Sequence, residues 1–330
     1  MDPFLLSDAR TVVRDFVKLR SGENVTVLSD GPRAAEAAAV LQACQEFGAE
    51  AVLLDLSQQV ASLLLSEAFW VDPPPPVIAA VQASDVTIVV LDETYGFRLD
   101  HKVRTLFEPS PECSIYKIDL GMGSWRLRRE DVDTVERTGR ELLAAMAGAD
   151  IVHVTSPAGT DVRLSIRGRD CLPVDVVPAR GMPYAIPVPL WGEYNWAPVE
   201  ESVEGTIVID GITEATPVLH VVSDPVTWTV TRDRIVEIRG GQDADDFRRI
   251  FDTDAGSSLI GELGIGGNHR AIFGTETEKA KLGTVHFGVG QNDEYPGGQI
   301  RSAVHVDGVV RNARVEIDGR VLIADGRFLG

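Results

Sequence analysis

Three short apolar runs separated by predicted helices constrain the fold of the first half of the chain more than any other feature. The runs are Val25–Leu28, Ala51–Asp55 and Val86–Leu91. A helix predicted from Ala34 to Phe47 separates the first two runs, and Gly48 is placed to end it. Strands that alternate with helices in this way are typical of a parallel sheet with helices on both faces. This half is therefore predicted to be a doubly wound α/β domain.

The sequence pattern changes near the middle of the chain, where apolar and polar residues begin to alternate. Ile151–Thr155 and Val162–Ile166 alternate on either side of a turn, so they predict a β-hairpin. Short strands dominate from there on, with one clear helix from about Asp243 to Phe251. We therefore predict an α/β protein in which residues 1–148 form a three-layer parallel-sheet domain. Residues 149–330 are predicted to form a strand-rich α+β domain.

The turn after the first strand argues against a dinucleotide cofactor, although doubly wound folds often bind one. Ser29-Asp30-Gly31-Pro32 contains no Gly-x-Gly-x-x-Gly pattern. That pattern brings backbone N–H groups close to a pyrophosphate at the start of the following helix. The candidate functional residues lie instead in the second half.

Charge, hydropathy and cysteine usage exclude several classes of partner. The 330 residues include 31 Lys and Arg against 50 Asp and Glu, a formal net charge of −19. Such a chain is not expected to bind nucleic acid or an anionic membrane surface, and no apolar run is long enough for a bilayer span. The three cysteines are scattered without a Cys-x-x-Cys pair. This pattern, with an N-terminus that lacks signal-peptide features, predicts a cytoplasmic protein.

Histidines and carboxylates are concentrated in three glycine-rich segments of the second half. These segments contain Glu262, His286 and the pair His305 and Asp307. On a strand, a spacing of two puts both members of the pair on one face. Imidazole nitrogen and carboxylate oxygen together suit a divalent cation such as zinc, manganese, cobalt or iron. One His-x-Asp pair alone is more often a hydrogen-bonded surface pair, but the further Glu and His in apolar surroundings favour a metal site.

Six segments of the second half carry a resemblance to known families. They are Pro157–Asp161, Gly192–Pro198, Glu201–Thr206, Gly261–Gly266, Leu282–His286 and His305–Asp307. With these segments the second half resembles the aminopeptidase T family of metallopeptidases and the family of 2,5-dihydroxypyridine 5,6-dioxygenases, which is related in fold. The N-terminal half agrees with them only in topology.

The two resemblances imply different metal sites. In the peptidase family two glutamates, two histidines and an aspartate bind two ions, and the matching residues are Glu193, Glu262, His286, His305 and Asp307. This implies two ions of zinc, cobalt or manganese. The dioxygenases bind one Fe(II) with two histidines and an aspartate, of which His305 and Asp307 match the His-x-Asp pair. Their other histidine falls at Glu262, and they have no counterpart of His286, so the ligand set here agrees better with the peptidases.

Departures from the peptidase family affect the expected chemistry. The family has a catalytic tyrosine shortly after the histidine matched by His286, but that spacing falls at Asp293 here. Tyr295, two residues later, is the candidate to stabilise an oxyanion. His269 and Arg270 lie in a loop beside the predicted ligands and are candidates either for substrate binding or for a structural role. The chain is also shorter than is typical of the family, so peptide substrates are less well supported than hydrolysis.

Three functions follow, of which we expect the first. It is a metal-dependent hydrolase that cleaves a C–N bond of a small amide or short peptide with metal-activated water. Glu193 or Glu262 would bridge the ions or take the proton of the water. The alternative is an Fe(II)-dependent dioxygenase that opens a hydroxylated aromatic or N-heteroaromatic ring. The third is a non-catalytic protein with a structural cation, which the mixed oxygen and nitrogen ligands fit less well.

A homodimer is expected from the aromatic residues around Glu193. Trp191, Tyr194 and Trp196 are candidates for an exposed apolar surface that a second subunit covers. The resemblance to the peptidases, which are dimers, implies the same assembly.

Overall fold

The structure, a computed structural model, divides the chain into two compact units. It describes residues 3–29, 31–58, 74–90, 113–118, 129–177, 180, 186–189, 191–216 and 219–330. The first unit comprises Met1–Arg128 and Val176–Trp191, and the second comprises Arg129–Asp175 and Gly192–Gly330. The chain therefore leaves the first unit, returns to it once and leaves it again.

This division differs from the boundary predicted after residue 148. The helix at Arg129–Met146 belongs to the second unit because it packs on the strand at Glu193–Trp196. The approach is close, since a Cβ atom on Gly139 would lie 1.7 Å from the hydroxyl oxygen of Tyr194. The sequence pattern identifies the helix, but it does not identify the strand on which the helix packs.

The described part of the first unit is built around a five-stranded sheet. Its strands are β1 (Asn24–Ser29), β2 (Glu50–Asp55), β3 (Val86–Val90), β4 (Ser114–Lys117) and β8 (Ile186–Pro187). They lie in the order β2-β1-β3-β4-β8, and the described pairs are all parallel, so the predicted α/β class is confirmed. Leu91, which the sequence pattern includes in the third strand, lies outside the described residues. The described helices of this unit are α1 (Pro3–Thr11), which continues into a π-helical turn at Val12–Phe16, α2 (Ala34–Glu46) and α3 (Pro75–Gln82).

Local sequence accounts for these elements. β1 is buried at all but its first residue and β3 along its whole length, as expected for strands of a parallel sheet. α2 ends just before Gly48, whose φ of 82° favours glycine. Pro75 occupies the first turn of α3. Backbone N–H groups there have no hydrogen-bond partner within the helix, so proline loses nothing by lacking one.

Among its described residues, the second unit has two sheets and two α-helices. The helices are α4 (Arg129–Met146) and α5 (Gln242–Phe251), and Glu276–Ala280 forms a 3-10 helix. No described helix of either unit is long and apolar enough to cross a membrane. The strands are β5 (Ile151–Thr155), β6 (Asp161–Ser165), β7 (Leu172–Val174), β9 (Glu193–Trp196), β10 (Glu204–Ile209), β11 (Ile212–Thr213), β12 (His220–Val221), β13 (Val226–Thr231), β14 (Arg234–Arg239), β15 (Ile260–Gly266), β16 (Val285–Gly290), β17 (His305–Val310), β18 (Arg314–Ile317), β19 (Arg320–Ala324) and β20 (Arg327–Phe328).

The eight-stranded sheet follows the alternation seen in the sequence. Its order is β14-β13-β10-β6-β5-β18-β19-β20. The predicted hairpin is confirmed, because Ile151 of β5 pairs with Ser165 of β6 in antiparallel register. Trp228 of β13 packs edge-on against Phe247 of α5, with ring centroids 4.9 Å apart. This aromatic contact joins the helix to one face of the sheet.

The seven-stranded sheet is buried more deeply. Its order is β12-β11-β17-β16-β15-β9-β7, and every residue of β15, β16 and β17 is buried. The sequence pattern does not predict β9, β15 or β16 as strands. Glycine, which is unfavourable in strands, recurs in β15 and β16 and removes the usual strand signal.

The aromatic residues beside Glu193 are buried, which corrects the expectation of an exposed apolar surface there. Trp191, Tyr194 and Trp196 are 3%, 1% and 2% exposed. Their apolar surface is already covered within the chain, so it offers nothing for a second subunit to cover. The homodimer remains a prediction, without this support.

Candidate metal centre

Four adjacent strands, β17, β16, β15 and β9, bring the five predicted ligands to one face of the seven-stranded sheet. Residues that pair directly across antiparallel strands share a face. The paired residues alternate between predicted ligands and glycines. The pairs are Glu193 with Gly266, His286 with Gly264, Glu262 with Gly288, Gly288 with Asp307, and His305 with Gly290.

Two of these glycines make room for the ligand side chains. A Cβ atom on Gly264 would lie 1.8 Å from Cε1 of His286. On Gly288 it would lie 2.7 Å from Oε2 of Glu262 and 2.8 Å from Oδ1 of Asp307. Real Cβ atoms do not approach other heavy atoms so closely, so any larger residue would displace a ligand. The glycines that hide the strands in the sequence are therefore required by the site.

Glu193, Glu262 and His286 form one group, called here the Glu193 trio. Each offers a donor atom within 4.8 Å of the others. Nε2 of His286 lies 3.2 Å from Oε1 of Glu262 and 3.9 Å from Oε1 of Glu193. The amide of Asn195 donates a 2.8 Å hydrogen bond to Oε1 of Glu193, which fixes that carboxylate.

Glu262, His305 and Asp307 form a second group, the Asp307 trio, with the same spacing of donor atoms. Nε2 of His305 lies 3.0 Å from Oε2 of Glu262 and 3.4 Å from Oδ1 of Asp307. Glu262 thus belongs to both trios, and it turns one carboxylate oxygen toward each histidine. A carboxylate with this arrangement has the shape of a bridging ligand between two ions.

Both trios contain one histidine and two carboxylates. These are the two groups of His, Cys, Asp and Glu with metal-binding spacing found among the described residues. Non-haem Fe(II) oxygenases typically bind iron with two histidines and one carboxylate. Among the described residues, no group of that composition has its donor atoms within 4.8 Å of one another.

Several donor atoms of the trios are buried without a hydrogen bond to any described residue. They are Oε2 of Glu193, Oε2 of Glu262 and Oδ1 of Asp307. Leaving a buried acceptor unpaired costs about 1–3 kcal/mol, and more when it is charged. Converging lone pairs of this kind are compensated by a cation. The side chains therefore fit a metal cofactor.

The charges of the cluster are strongly coupled. Burial and the charge of Asp307 oppose ionisation of Glu262, but the imidazoles of His286 and His305 beside its two oxygens outweigh them and lower its pKa to about 2. Burial alone would lower the pKa of His286, whereas the carboxylates of Glu193 and Glu262 raise it to about 9. The carboxylates thus favour the protonated form of this histidine. Metal binding at these side chains would require unprotonated ligands, so metal affinity would depend on pH.

Neighbouring groups orient His305. Its Nδ1 lies 2.7 Å from the backbone carbonyl oxygen of Gln291, so Nδ1 carries a proton and donates it to that oxygen, while Nε2 points toward the carboxylates. The ring of Tyr295 stacks on the imidazole with centroids 6.0 Å apart. Tyr295, predicted from the sequence as a catalytic residue, therefore lies beside a predicted ligand, and its role remains a prediction.

Two residues of the cluster were not found by sequence reasoning. The Nζ atom of Lys279 lies 3.0 Å from Oε1 of Glu214 and 3.1 Å from Oδ2 of Asp307, and all three side chains are buried. Burial alone would lower the pKa of Lys279, but the charges of Glu214 and Asp307 raise it well above its usual value. Lys279 lies in the segment Glu276-Thr277-Glu278-Lys279, which has the composition of an exposed turn. No signal in the sequence marks it.

The two predicted substrate-binding residues face an acidic side chain of α4. His269 lies 3.5 Å from Asp131 through Nε2, and Arg270 lies 3.4 Å from it through Nη1. Asp131 is buried, while His269 and Arg270 are about two-fifths exposed. Both side chains therefore have a structural partner and keep an accessible surface, and a role in substrate binding remains a prediction.

Comparisons with known proteins agree with both resemblances. No curated protein sequence matches the chain. The solved structure of 2,5-dihydroxypyridine dioxygenase from Pseudomonas putida KT2440 aligns with a TM-score of 0.69 and 17% identity, over 99% of this chain and 97% of that one. Wild-type AmpT from Thermus thermophilus aligns with a TM-score of 0.74 and 17% identity, over 99% of both chains. At this identity the alignments establish the fold.

The family assignment comes from the sequence profile of the second half. The profile described as NicX, 2,5-dihydroxypyridine 5,6-dioxygenase, matches residues 128–330. The match includes all five predicted ligands and more than half of the 330 residues. The chain belongs to the 2,5-dihydroxypyridine 5,6-dioxygenase family.

Proposed function

We propose that this chain is a metal-dependent hydrolase that activates water at a two-ion centre bridged by Glu262. The observation that carries the proposal is the position of the Glu262 carboxylate, whose two oxygens lie 3.2 and 3.0 Å from the histidines of two different trios. A shared carboxylate leaves each ion with three protein ligands, which keeps positions open for water and substrate.

The residues have separate roles in this proposal. Glu193, Glu262 and His286 would hold one ion, and Glu262, His305 and Asp307 the other. Zinc, cobalt or manganese held by these residues would supply Lewis-acid chemistry, namely a lower pKa of bound water and a polarised carbonyl group. Because Glu262 is used by both trios, Glu193 is the better candidate to accept the proton of the water. Burial raises the pKa of Glu193, which is the direction that makes a carboxylate a better proton acceptor.

The remaining candidates would bind and stabilise the substrate. Tyr295, which stacks on His305, is placed in this proposal as the donor to a developing oxyanion. His269 and Arg270 keep accessible surface while Asp131 holds them, so they are proposed to anchor an anionic group. The substrate class is a small molecule or short peptide with an amide-like C–N bond.

A second function is favoured by the comparisons, which support it better than hydrolysis. Membership of the dioxygenase family suggests an Fe(II) enzyme that opens a hydroxylated aromatic or N-heteroaromatic ring. The Asp307 trio would hold the iron, with Glu262 at the place of a histidine. The spacing of the described side chains counts against this function, because each trio has one histidine rather than two.

Substitutions of Glu262 distinguish the two functions. Glu262→Gln keeps the shape of the side chain and removes its charge, while Glu262→His supplies the second histidine of an iron site. Both variants are purified alongside Glu237→Gln, an exposed glutamate of β14. Metal per chain, amide hydrolysis and oxygen uptake are measured for each.

If the chain is the proposed hydrolase, Glu262→Gln should lose at least one ion and most of its hydrolytic activity. Glu237→Gln should keep the metal content and the activity of the wild type. The dioxygenase predicts that Glu262→His keeps one iron per chain and consumes oxygen with a ring substrate. If Glu262→Gln keeps two ions and full hydrolysis, Glu262 is not the bridging ligand.

A further inference from the structure

Lys279 places a buried positive charge in direct contact with Asp307 of one trio, and the same charge acts on Glu193 of the other trio. Its ammonium group lies between Oε1 of Glu214 and Oδ2 of Asp307, at 3.0 and 3.1 Å. A buried ammonium is stable only when carboxylates compensate it. In the Glu193 trio the corresponding contact is the neutral amide of Asn195, which donates to Glu193. The trios therefore differ in the charge of their supporting groups.

The lysine also limits how Asp307 can bind an ion. Because Nζ of Lys279 donates to Oδ2 of Asp307, only Oδ1 of Asp307 is left to bind an ion. This Oδ1 has no hydrogen bond to any described residue and lies 3.4 Å from Nε2 of His305. Asp307 is thus presented as a ligand through one oxygen. A free carboxylate could instead bind through two.

Glu214 balances this charge from the neighbouring strand. It directly follows β11, and its backbone N–H donates to the carbonyl oxygen of Asp307 at 3.4 Å. Its carboxylate is buried and partly neutralises the repulsion between Lys279 and a cation in the Asp307 trio. Removing Lys279 or Glu214 should therefore change that repulsion in opposite directions.

We infer that the Lys279–Glu214 pair is a positioning element that makes the Asp307 trio the weaker of two ion sites, so that the Glu193 trio fills first. Lys279 acts through Asp307, by withholding one oxygen and by opposing the second cation. Ions then enter in a fixed order, and the second ion is the one that exchanges. The inference rests on the two-ion centre proposed above.

The test measures the two steps of metal binding directly. Metal-free protein is titrated with Co²⁺, and bound metal and visible absorption are followed for wild type, Lys279→Met and Glu214→Gln. Lys281→Met is the matched control, because Lys281 lies only two residues after Lys279 and its ammonium donates to the carbonyl oxygen of Ala271 at 2.8 Å. Urea unfolding of each variant checks that it folds.

Lys279→Met should tighten the weaker step by about tenfold or more, and Glu214→Gln should weaken it by a similar factor. Lys279→Met should also change the Co²⁺ absorption of the second ion, because Oδ2 of Asp307 becomes available. Lys281→Met should leave both steps unchanged. A purely structural role for the pair would instead weaken binding in both variants.

The outcomes separate this inference from the proposed function. Shifts of the same sign in both variants, or no shift in Glu214→Gln, would overturn the role of Lys279 while a wild type with two ions leaves the hydrolase proposal standing. A wild type that binds only one ion would overturn the two-ion centre. In that case the inferred order of ion binding is also wrong. Opposite changes of the affinity for the single ion in Lys279→Met and Glu214→Gln would still show that the pair controls that affinity, and changes of the same sign would show that it does not. If Lys279→Met does not fold, Lys279→Gln and the Glu214→Gln titration give the same decision.

Discussion

The two sheets of the second unit use similar residues in opposite surroundings. In the eight-stranded sheet, His153 of β5 pairs with Asp161 of β6 at 2.7 Å, and Asp161 is 67% exposed. In the seven-stranded sheet, His305 and Asp307 of β17 lie 3.4 Å apart and are buried. Water solvates the first pair. The second pair is shielded from solvent, so its charges must be compensated by other charged side chains, and the neighbouring strands supply these. Surroundings, rather than residue type, therefore distinguish a candidate metal ligand from a surface ion pair.

Removal of one histidine from each pair should give the largest contrast. His305→Ala is expected to lose at least one ion and all measurable activity, well beyond the roughly ten- to hundredfold typical of residues that only support a ligand. His153→Ala should keep metal and activity. Elemental analysis and an activity assay before and after chelation check both variants. Full metal content in His305→Ala would show that His305 is not a metal ligand.

The aromatic contact of the eight-stranded sheet should control stability without affecting metal. Trp228 is fully buried against Phe247 of α5. Trp228→Ala should lower the free energy of unfolding by about 3–5 kcal/mol, because it leaves a large cavity. Urea unfolding measures this change, and metal per folded chain should match wild type. Loss of metal from the folded variant would contradict the separation of the two sheets.

Added methyl groups can compare the two faces of the seven-stranded sheet. Gly264→Ala would push a Cβ atom against the ring of His286, whereas Gly308→Ala would meet Cδ1 of Ile209 at 2.6 Å on the opposite face. Overpacking should lower stability by about 3 kcal/mol or less in each case. Only Gly264→Ala should also lose metal. Equal metal content in the two variants would mean that the glycine opposite His286 is not needed for the site.

The segment that leads into β17 should give the smallest effect, and it depends on pH. Asp254 accepts hydrogen bonds from the side chain of Ser302 and the backbone N–H of Ala303. Burial opposes ionisation of Asp254, but these and other hydrogen bonds outweigh it and hold its pKa below the usual value. Its contribution is therefore present at neutral pH and is lost as the pH falls below about 4.

Asp254→Asn should accordingly lower stability at pH 7 by about 1 kcal/mol, on the scale of one hydrogen bond, and the difference from wild type should shrink in acid. Asp252→Asn, an exposed neighbour, is the control. Urea unfolding at several pH values measures both. A difference that stays constant down to pH 3 would exclude ionisation of Asp254 as its cause.

The sequence predicted the elements that obey simple patterns. The β5–β6 hairpin, the apolar strands of the first unit and helices α2 and α5 all follow from periodicity, with bounds within one or two residues of the structure. The ligand residues followed from the resemblance together with the His-x-Asp spacing. Which glutamate both trios share did not follow, because that depends on the register of β15 between β9 and β16.

The failures of sequence reasoning cluster at the site itself. β15 and β16 were missed because the site needs glycines where a strand usually has branched side chains. Lys279 was missed because its segment is polar, and only the tertiary fold buries it. The argument for a dimer from exposed aromatic residues was wrong because the sequence places Trp191 and Trp196 in what looks like an exposed loop, whereas the fold buries them.

The return of residues 176–191 to the first unit has a consequence for synthesis of the protein. β8 pairs with β4 through Tyr116 and Ile186, so the parallel sheet gains its last strand only after α4 and the β5–β6 hairpin have been made. A nascent chain that ends before residue 186 would expose the edge of β4, where unpaired N–H and C=O groups invite aggregation. On the ribosome, the first unit therefore cannot be finished before the second has begun.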